Sequence, residues 1–366
     1  MSLLLRRLWK LCHGKPAGAV VKRSSLLLSS NSYSSSSLLQ TPPCFVLTVA
    51  PCGEDLGKLV IVKANEFCIT DLEKKVPLDL VDTDEMLMVG ASNGWVATLK
   101  DDGIVRLQDD LNPFASDTNP KRIPLPPLVT LPRCQTQMVT NMAMSSSSPE
   151  DMDCVVSLKF FGPQLSFCRP GGKPEWTNIR IANPCFYSSP VVFSKKHGMF
   201  RILASGGYLI GSWDARTDKK SKPKFQRLRF RNVPNLSKTK RELLSSCCTS
   251  EHLVESGTTG ETFLVKLYRR PRASGSEKMQ TKALMVFKID DEGNAVYTQD
   301  IGDLCIFLSK SEPFCVPASS FPGMTSNRVA FLDFDENVYI SVPCSNIIGG
   351  NCPYVAPYHI PPQNIV

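Results

Sequence analysis

Residues 86–107 read MLMVGASNGWVATLKDDGIVRL, and this stretch decides the class of fold. Three short apolar runs, 86–89, 95–99 and 104–107, are divided by Asn93-Gly94 and by Asp101-Asp102-Gly103. Asn-Gly and Asp-Gly pairs accept the positive φ of a tight turn between antiparallel strands. Each run is shorter than the ten or so residues of a helix, so the pattern predicts a β-meander.

The same grammar continues on both sides. Upstream lie 44–50 (CFVLTVA), 59–62 and 67–69; downstream come 154–161, 165–168, 177–181, 190–194, 199–204 and 208–213. Further strands are expected at 251–255, 263–268, 283–289, 295–300, 303–309, 328–333 and 338–342. Gly171-Gly172, Gly206-Gly207, Glu292-Gly293 and 335–337 mark turns between them. One short helix is expected near 238–244, but the long amphipathic helices of an α/β fold are missing. The chain is therefore all-β. Its strands group into hairpin-pair units of roughly 40–50 residues, the size of a propeller blade. We expect a β-propeller of four-stranded antiparallel blades over 44–353, whose repeats are too divergent to count. Residues 354–366 are expected to form a C-terminal tail. The run 111–132 (LNPFASDTNPKRIPLPPLVTLP) holds six prolines and predicts an ordered connection rather than a strand ladder, or else a domain boundary.

The first 43 residues differ in kind. Six basic residues and no acid precede Glu54, whereas the rest of the chain carries 36 basic against 34 acidic residues. The formal charge of +8 thus sits mostly in the head and argues little for a nucleic-acid surface on the body. Leu3, Leu4, Leu5, Leu8, Leu11 and Trp9 surround Arg6, Arg7 and Lys10, and nine serines follow between Ser24 and Ser37. An amphipathic, arginine-bearing, serine-rich, acid-free opening predicts a transit peptide and linker over 1–43, for the mitochondrion with the plastid as alternative. A secretory signal needs an unbroken apolar core, which Arg6 and Arg7 interrupt. No run reaches the roughly 17–25 apolar residues of a membrane helix, so no integral membrane segment is expected. The fourteen cysteines show no C-x-x-C pair, and Cys154 and Cys305 sit in apolar strand runs. They predict small buried hydrophobes in a reducing compartment.

In order along the chain, several stretches resemble the plant KIB-type β-propeller family. They are 90–102 (GASNGWVATLKDD), 111–114 (LNPF), 123–125 (IPL), 191–214 (VVFSKKHGMFRILASGGYLIGSWD), 283–300, 303–315 (DLCIFLSKSEPFC) and 328–342. The likeness spans about 47–353. Many members of that family place an F-box before the propeller; the cationic, serine-rich head here is expected to carry none, which resembles an organelle-directed branch. The resemblance implies a propeller and transfers no catalytic residue.

No catalytic, cofactor-binding or metal-ligating residue is assigned, and no cofactor is expected. His13, His197, His252 and His359 lack Cys or His partners at zinc spacing. Cys247 and Cys248, as neighbours on a strand, would face opposite ways. The residues around Lys15 and Ser256 do not make a phosphate loop, and 340–345 (ISVPCS) lacks the nucleophile-elbow pattern. Asp101, Asp102, Asp290, Asp291, Glu292, Asp333, Asp335 and Glu336 are expected to be solvated turn residues. Trp95, Trp176 and Trp213 are expected to anchor strand packing. The strongest charge feature of the body is 219–231 (KKSKPKFQRLRFR), with seven basic residues around Phe225 and Phe230, expected to be a solvated basic loop with one alternating strand. The leading function is a non-catalytic organellar protein-interaction scaffold with an unidentified protein partner. The alternatives are an enzyme with a site near the propeller axis, or an RNA-binding protein using 219–231. Oligomeric state leaves no trace in the sequence.

Overall fold

A computed structural model of the chain describes residues 40–81, 87–132, 134, 138–215, 222–272, 278–343, 346–351 and 356–364. Most of the expected transit peptide, with His13, lies outside the described residues, as do Lys219, Lys220, Cys344 and Cys352.

The strands form six sheets in chain order. Blade 1 holds β1 (Cys44–Pro51), β2 (Leu56–Lys63) and β3 (Ile69–Pro77). Blade 2 holds β4 (Leu87–Ser92), β5 (Trp95–Leu99), β6 (Ile104–Gln108) and β7 (Arg122–Pro127). Its first turn works as the sequence predicts: Asn93 and Gly94 both hold positive φ, 52° and 86°. Blade 3 holds β8 (Val139–Met144), β9 (Val156–Phe160), β10 (Gln164–Cys168) and β11 (Thr177–Arg180). Blade 4 holds β12 (Val191–Ser194), β13 (Met199–Leu203), β14 (Leu209–Trp213) and β15 (Lys224–Arg227).

The last two blades are five-stranded. The chain leaves β15, adds β16 (Arg229–Arg231) to the next blade, and forms the helix α1 (Lys238–Ser245), capped by the Ser237 hydroxyl. It then builds β17 (Cys248–Glu255), β18 (Thr262–Pro271), β19 (Met279–Ile289) and β20 (Asn294–Thr298); β16 lies parallel to β20 on the outer edge. Blade 6 contains β21 (Leu304–Leu308), β22 (Phe314–Pro317), β23 (Arg328–Leu332), β24 (Glu336–Ser341) and β25 (Ile347–Asn351), in the order β22-β21-β23-β24-β25, with β21 parallel to β23. Finally β26 (His359–Ile360) pairs with β1 and completes blade 1 as its fourth strand.

The core lies between blades rather than within them. Val105 and Leu107 of blade 2 share a buried cluster with Val156 and Leu158 of blade 3. Phe167 of blade 3 packs with Phe200 of blade 4, and Val265 of blade 5 with Val329 of blade 6. A blade has two faces and no core of its own, so each depends on its neighbours. The three tryptophans do anchor this packing: Trp95, Trp176 and Trp213 are buried, and the indoles of Trp95 and Trp176 donate to Ser147 O and Pro126 O.

Four expectations need correction. The proline-rich 111–132 is neither a bare connection nor a boundary: 122–127 forms β7, the outermost strand of blade 2. Prolines are tolerated there because an edge strand has one side free of ladder bonds. The described part of 219–231 holds two strands in two blades, β15 and β16, where a basic loop with one strand was expected. The stretch 354–366 contains β26, whose two-residue length gives no periodicity to read. Cys247 also lies off the strand, donating its thiol to Leu243 O just after α1.

Candidate functional site

The C-terminal ends of the inner strands β4, β8, β12 and β17 and the start of β26 meet one segment, residues 309–315 (SKSEPFC). This segment enters β22 and touches all five other blades. Lys310 N donates to Pro357 O and His359 N to Ser309 Oγ, beside blade 1. Glu312 N donates to Ala91 O at the end of β4. The Glu312 carboxylate accepts Ser92 Oγ at 2.6 Å and, more distantly, Met144 N at 3.5 Å on one oxygen, and Phe193 N at 2.5 Å on the other. Those three donors belong to blades 2, 3 and 4. Cys315 Sγ donates to Glu255 O, and a parallel bridge joins Cys315 to Ser256, at blade 5. Burial pushes the Glu312 carboxyl up to about 7 against the pull of these donors and of Lys195.

Next to this hub lies a constellation that the sequence alone does not suggest. Ser194 Oγ is 2.9 Å from His197 Nδ1 and also donates to the Glu255 carboxylate. Ser, His and Glu are the parts of a nucleophilic triad, but the order is wrong for one. In a triad the carboxylate orients the histidine, and the histidine activates the serine. Here the serine stands between the other two. Glu255 also accepts Lys196 N at 2.8 Å, and Ser194 Oγ accepts His197 N at 3.2 Å. The group thus ties the β12–β13 turn of blade 4 to the end of β17 in blade 5. Burial, followed by Arg201, lowers the His197 pKa, and burial pushes the Cys315 thiol up to about 12, far from a thiolate at neutral pH.

The remaining histidines are placed singly. His359 is buried in β26 between Phe45 and Phe307, edge-on at 5.9 and 5.2 Å. Neither ring nitrogen has a hydrogen-bond partner in range; burial pushes its pKa down to about 3, offset slightly by the nearby Leu308 backbone. His252 is pushed down to about 4 by burial and then by Arg269.

Asp333, Asp335 and Glu336 correct another expectation, since they are not solvated turn residues. Arg269 of β18 bonds Asp333 at 2.7 Å and Glu336 at 3.0 Å, with Asp335 at 3.5 Å. Glu336 is buried and also accepts Thr281 N and Thr281 Oγ1. The cluster clasps blade 5 to blade 6. Asp102 and Asp290, in contrast, do cap their own turns, accepting Ile104 N and Asn294 N. Among the described residues no group of three or more His, Cys, Asp and Glu is placed to hold a metal ion, and no helix is long and apolar enough to cross a membrane.

The sequence reading missed the hub because its donors come from five blades and are mostly backbone groups. The local hint was Glu312 itself, a lone acid between Ser311 and Pro313, linking the apolar runs 304–308 and 314–316.

A family model described as the KIB1-4 beta-propeller matches residues 64–351. No curated protein matches the chain. Among solved structures it is similar to the WD40 domain of SCAP from fission yeast, at 12% identity over 76% of this chain and 71% of that one, TM-score 0.30. It is similar also to YCF48 from Cyanidioschyzon merolae, at 10% identity over 86% and 94% of the two chains, TM-score 0.32. Likeness at this level carries no functional argument.

Proposed function

The chain belongs to the KIB1-4 beta-propeller family, and from that premise we propose that it acts as a non-catalytic protein-interaction scaffold in an organelle, the mitochondrion first and the plastid as alternative. The observation that carries the reading is the state of the axis. The polar groups that a propeller enzyme would turn toward a substrate there, Glu312, Ser92, Ser194 and Glu255, are engaged with one another and with backbone donors. The turns around them, with exposed Lys195, Lys196, Thr258 and Thr259, are free to meet a partner. Propellers commonly bind through such loops, and that part of the argument is analogy of fold.

Two experiments test it. A reporter fused to residues 1–43 is expected in mitochondria; a uniformly cytosolic reporter overturns the organellar part. Proximity labelling in intact organelles, with the full chain, is expected to mark a discrete set of proteins. That set should be lost when Lys195, Lys196, Thr258 and Thr259 are changed to serine or alanine. Labelling indifferent to these changes overturns this face as the docking surface.

A further inference from the structure

We propose that the outer edge of blades 4 and 5 binds the phosphate backbone of a single-stranded nucleic acid, through the row Arg227, Arg229 and Arg231 extended by Lys222 and Lys224. This goes beyond the scaffold reading, which concerns the loops at the axis, and stands or falls separately from it.

The chain from β15 into β16 is an alternating edge. Leu228 is buried and Phe230 packs edge-on against Phe287 at 4.9 Å, while Arg227, Arg229 and Arg231 are exposed. Arg229 and Arg231 are alternate residues of β16 and face one way about 6.6–6.8 Å apart, and Arg227 ends β15 two residues before Arg229, so three exposed cations follow closely along the chain. Such a run suits successive phosphates of an extended nucleic-acid strand, and guanidinium forks suit phosphate oxygens.

Among the described residues these five cations have no carboxylate partner within ion-pair distance, whereas several others of the body do. Lys58, Lys100, Arg106, Lys121, Arg122, Lys196, Arg269 and Lys288 each have a carboxylate partner. The acids of the adjoining 290–292 turn make their contacts within the turn or with Lys196: Asp291 bonds Lys196, Asp290 caps the turn at Asn294, and Glu292 accepts Asn294 Nδ2 at 3.4 Å. The residue across from Arg229 is the neutral Asn294. A small net charge for the whole body therefore hides a concentrated positive edge.

An acidic peptide would satisfy the charge alone. Phe225 favours nucleic acid instead. One face of its ring lies on Phe186, with centroids 5.9 Å apart and planes 16° from parallel, yet the side chain remains 55% exposed. A rigidly backed aromatic with a free face beside a cationic track is the arrangement on which unpaired bases stack.

The test uses the full chain and a fluorescein-labelled oligouridylate of about 16 nucleotides, the long end of common single-strand site sizes. Fluorescence anisotropy is followed between about 50 and about 200 mM salt. The variant R227S/R229S/R231S is expected to bind at least tenfold more weakly (~) at the low salt and to flatten the slope of log K against log salt by about 2, since each single-strand phosphate contact contributes about 0.7. The basic head is the same in both proteins, so the difference reports the strip. F225L is expected to weaken binding about fivefold or more with no change of slope. K58S/K121S, which removes paired cations, is expected to change neither. If the triple variant melts early, R227S and R231S singly are each expected to flatten the slope by about 0.7. Unchanged slope in these variants overturns the proposal, and so does equal displacement of the RNA by polyglutamate at matched charge.

Discussion

Glu312, His359 and Lys159 are single residues whose burial makes the stability of the ring depend on pH in separable ways. Glu312 has a folded pKa of about 7 against an ordinary 4.5, so its contribution is fully present below 4.5 and is lost as pH rises through 7. His359 runs the opposite way. Its pKa of about 3 in the fold lies below the ordinary 6.5, so stability present above 6.5 is lost as pH falls toward 3. Lys159 is fully buried, its ammonium donating to the carbonyls of Phe160, Gly162 and Tyr187, and burial pushes it down to about 7 from 10.5. It adds stability as pH climbs from 7 to 10.5. Urea midpoints measured from pH 4 to 10 separate the three. E312Q is expected to remove the decline between pH 4.5 and 7, and unchanged curvature there would show that Glu312 does not titrate in the fold. E312A is expected to cost about 3 kcal/mol, because it strands Ser92 Oγ and Phe193 N without an acceptor. His359→Leu is expected to stabilise the protein by about 1 kcal/mol at pH 5, since it removes two buried nitrogens that have no partner. A loss of stability at that pH would mean the imidazole has a bond, such as one to Leu308, that matters. None of these roles was legible in the sequence, which shows the residues but not what surrounds them.

Strands differ in how clearly they announce themselves, and the difference follows their depth in the blade. The middle strands β9, β10 and β21 are buried at every position, and their apolar runs stand out. The outer strands lie half in water. In β3 (ITDLEKKVP) Lys74 and Val76 are the buried positions, and β11 and β15 have no buried residue at all. With so few buried positions, β15 and β16 look like a basic loop with a single strand and β7 like a proline-rich connection. Turns were legible at Asn93-Gly94 and Gly206-Gly207, where Gly or Asn supplies a positive φ, but not at Asn232 or Asn327, which do the same without a glycine beside them. The clasp between β18 and the β23–β24 turn was not, because its acids have the composition of any exposed turn. Its energetics give a prediction. Arg269 is largely buried against Asp333 and Glu336, and its guanidinium also lies 4.9 Å from the Phe331 ring centroid. Arg269→Met should cost about 3–5 kcal/mol, because it leaves Glu336 as an uncompensated buried charge. Adding Glu336→Gln should recover part of that loss. Thermal melting of the two single variants and the double variant checks this; additive losses would mean the residues act independently and the clasp is an accident of packing.

For the whole molecule the decisive structure is the seam where the ring closes. Every apolar cluster described above is shared between blades, so an open ring leaves two blades each with one uncovered face. Closure rests on a short C-terminal segment. Phe45 pairs with His359 and Cys44 with Ile360; beyond them Thr41 N donates to Gln363 O and Gln363 N to Thr41 Oγ1. Ala356, Tyr358, His359 and Ile360 are all buried, and Tyr358 and Ile360 join the cluster between blades 1 and 2. Ending the chain at residue 355 removes this segment while sparing β21 through β25. Loss of Tyr358 and Ile360 alone forfeits about 1.5–3 kcal/mol each. The larger effect is topological. Without β26, the ladder groups of β1 at Cys44 and Phe45 are left without their strand, and an exposed edge of that kind recruits other chains. The segment 309–311 also loses its bonds to Pro357 and His359, so the hub that touches the other blades is loosened at the same stroke. The truncated protein is therefore expected to aggregate, or to melt far below the full chain, and a peptide of residues 356–366 supplied in trans is expected to raise its melting temperature. A soluble monomer that melts with the full chain would show that β26 is an ornament on blade 1 and that the ring holds itself closed by the other contacts between blades 6 and 1, such as Phe67 against Tyr339.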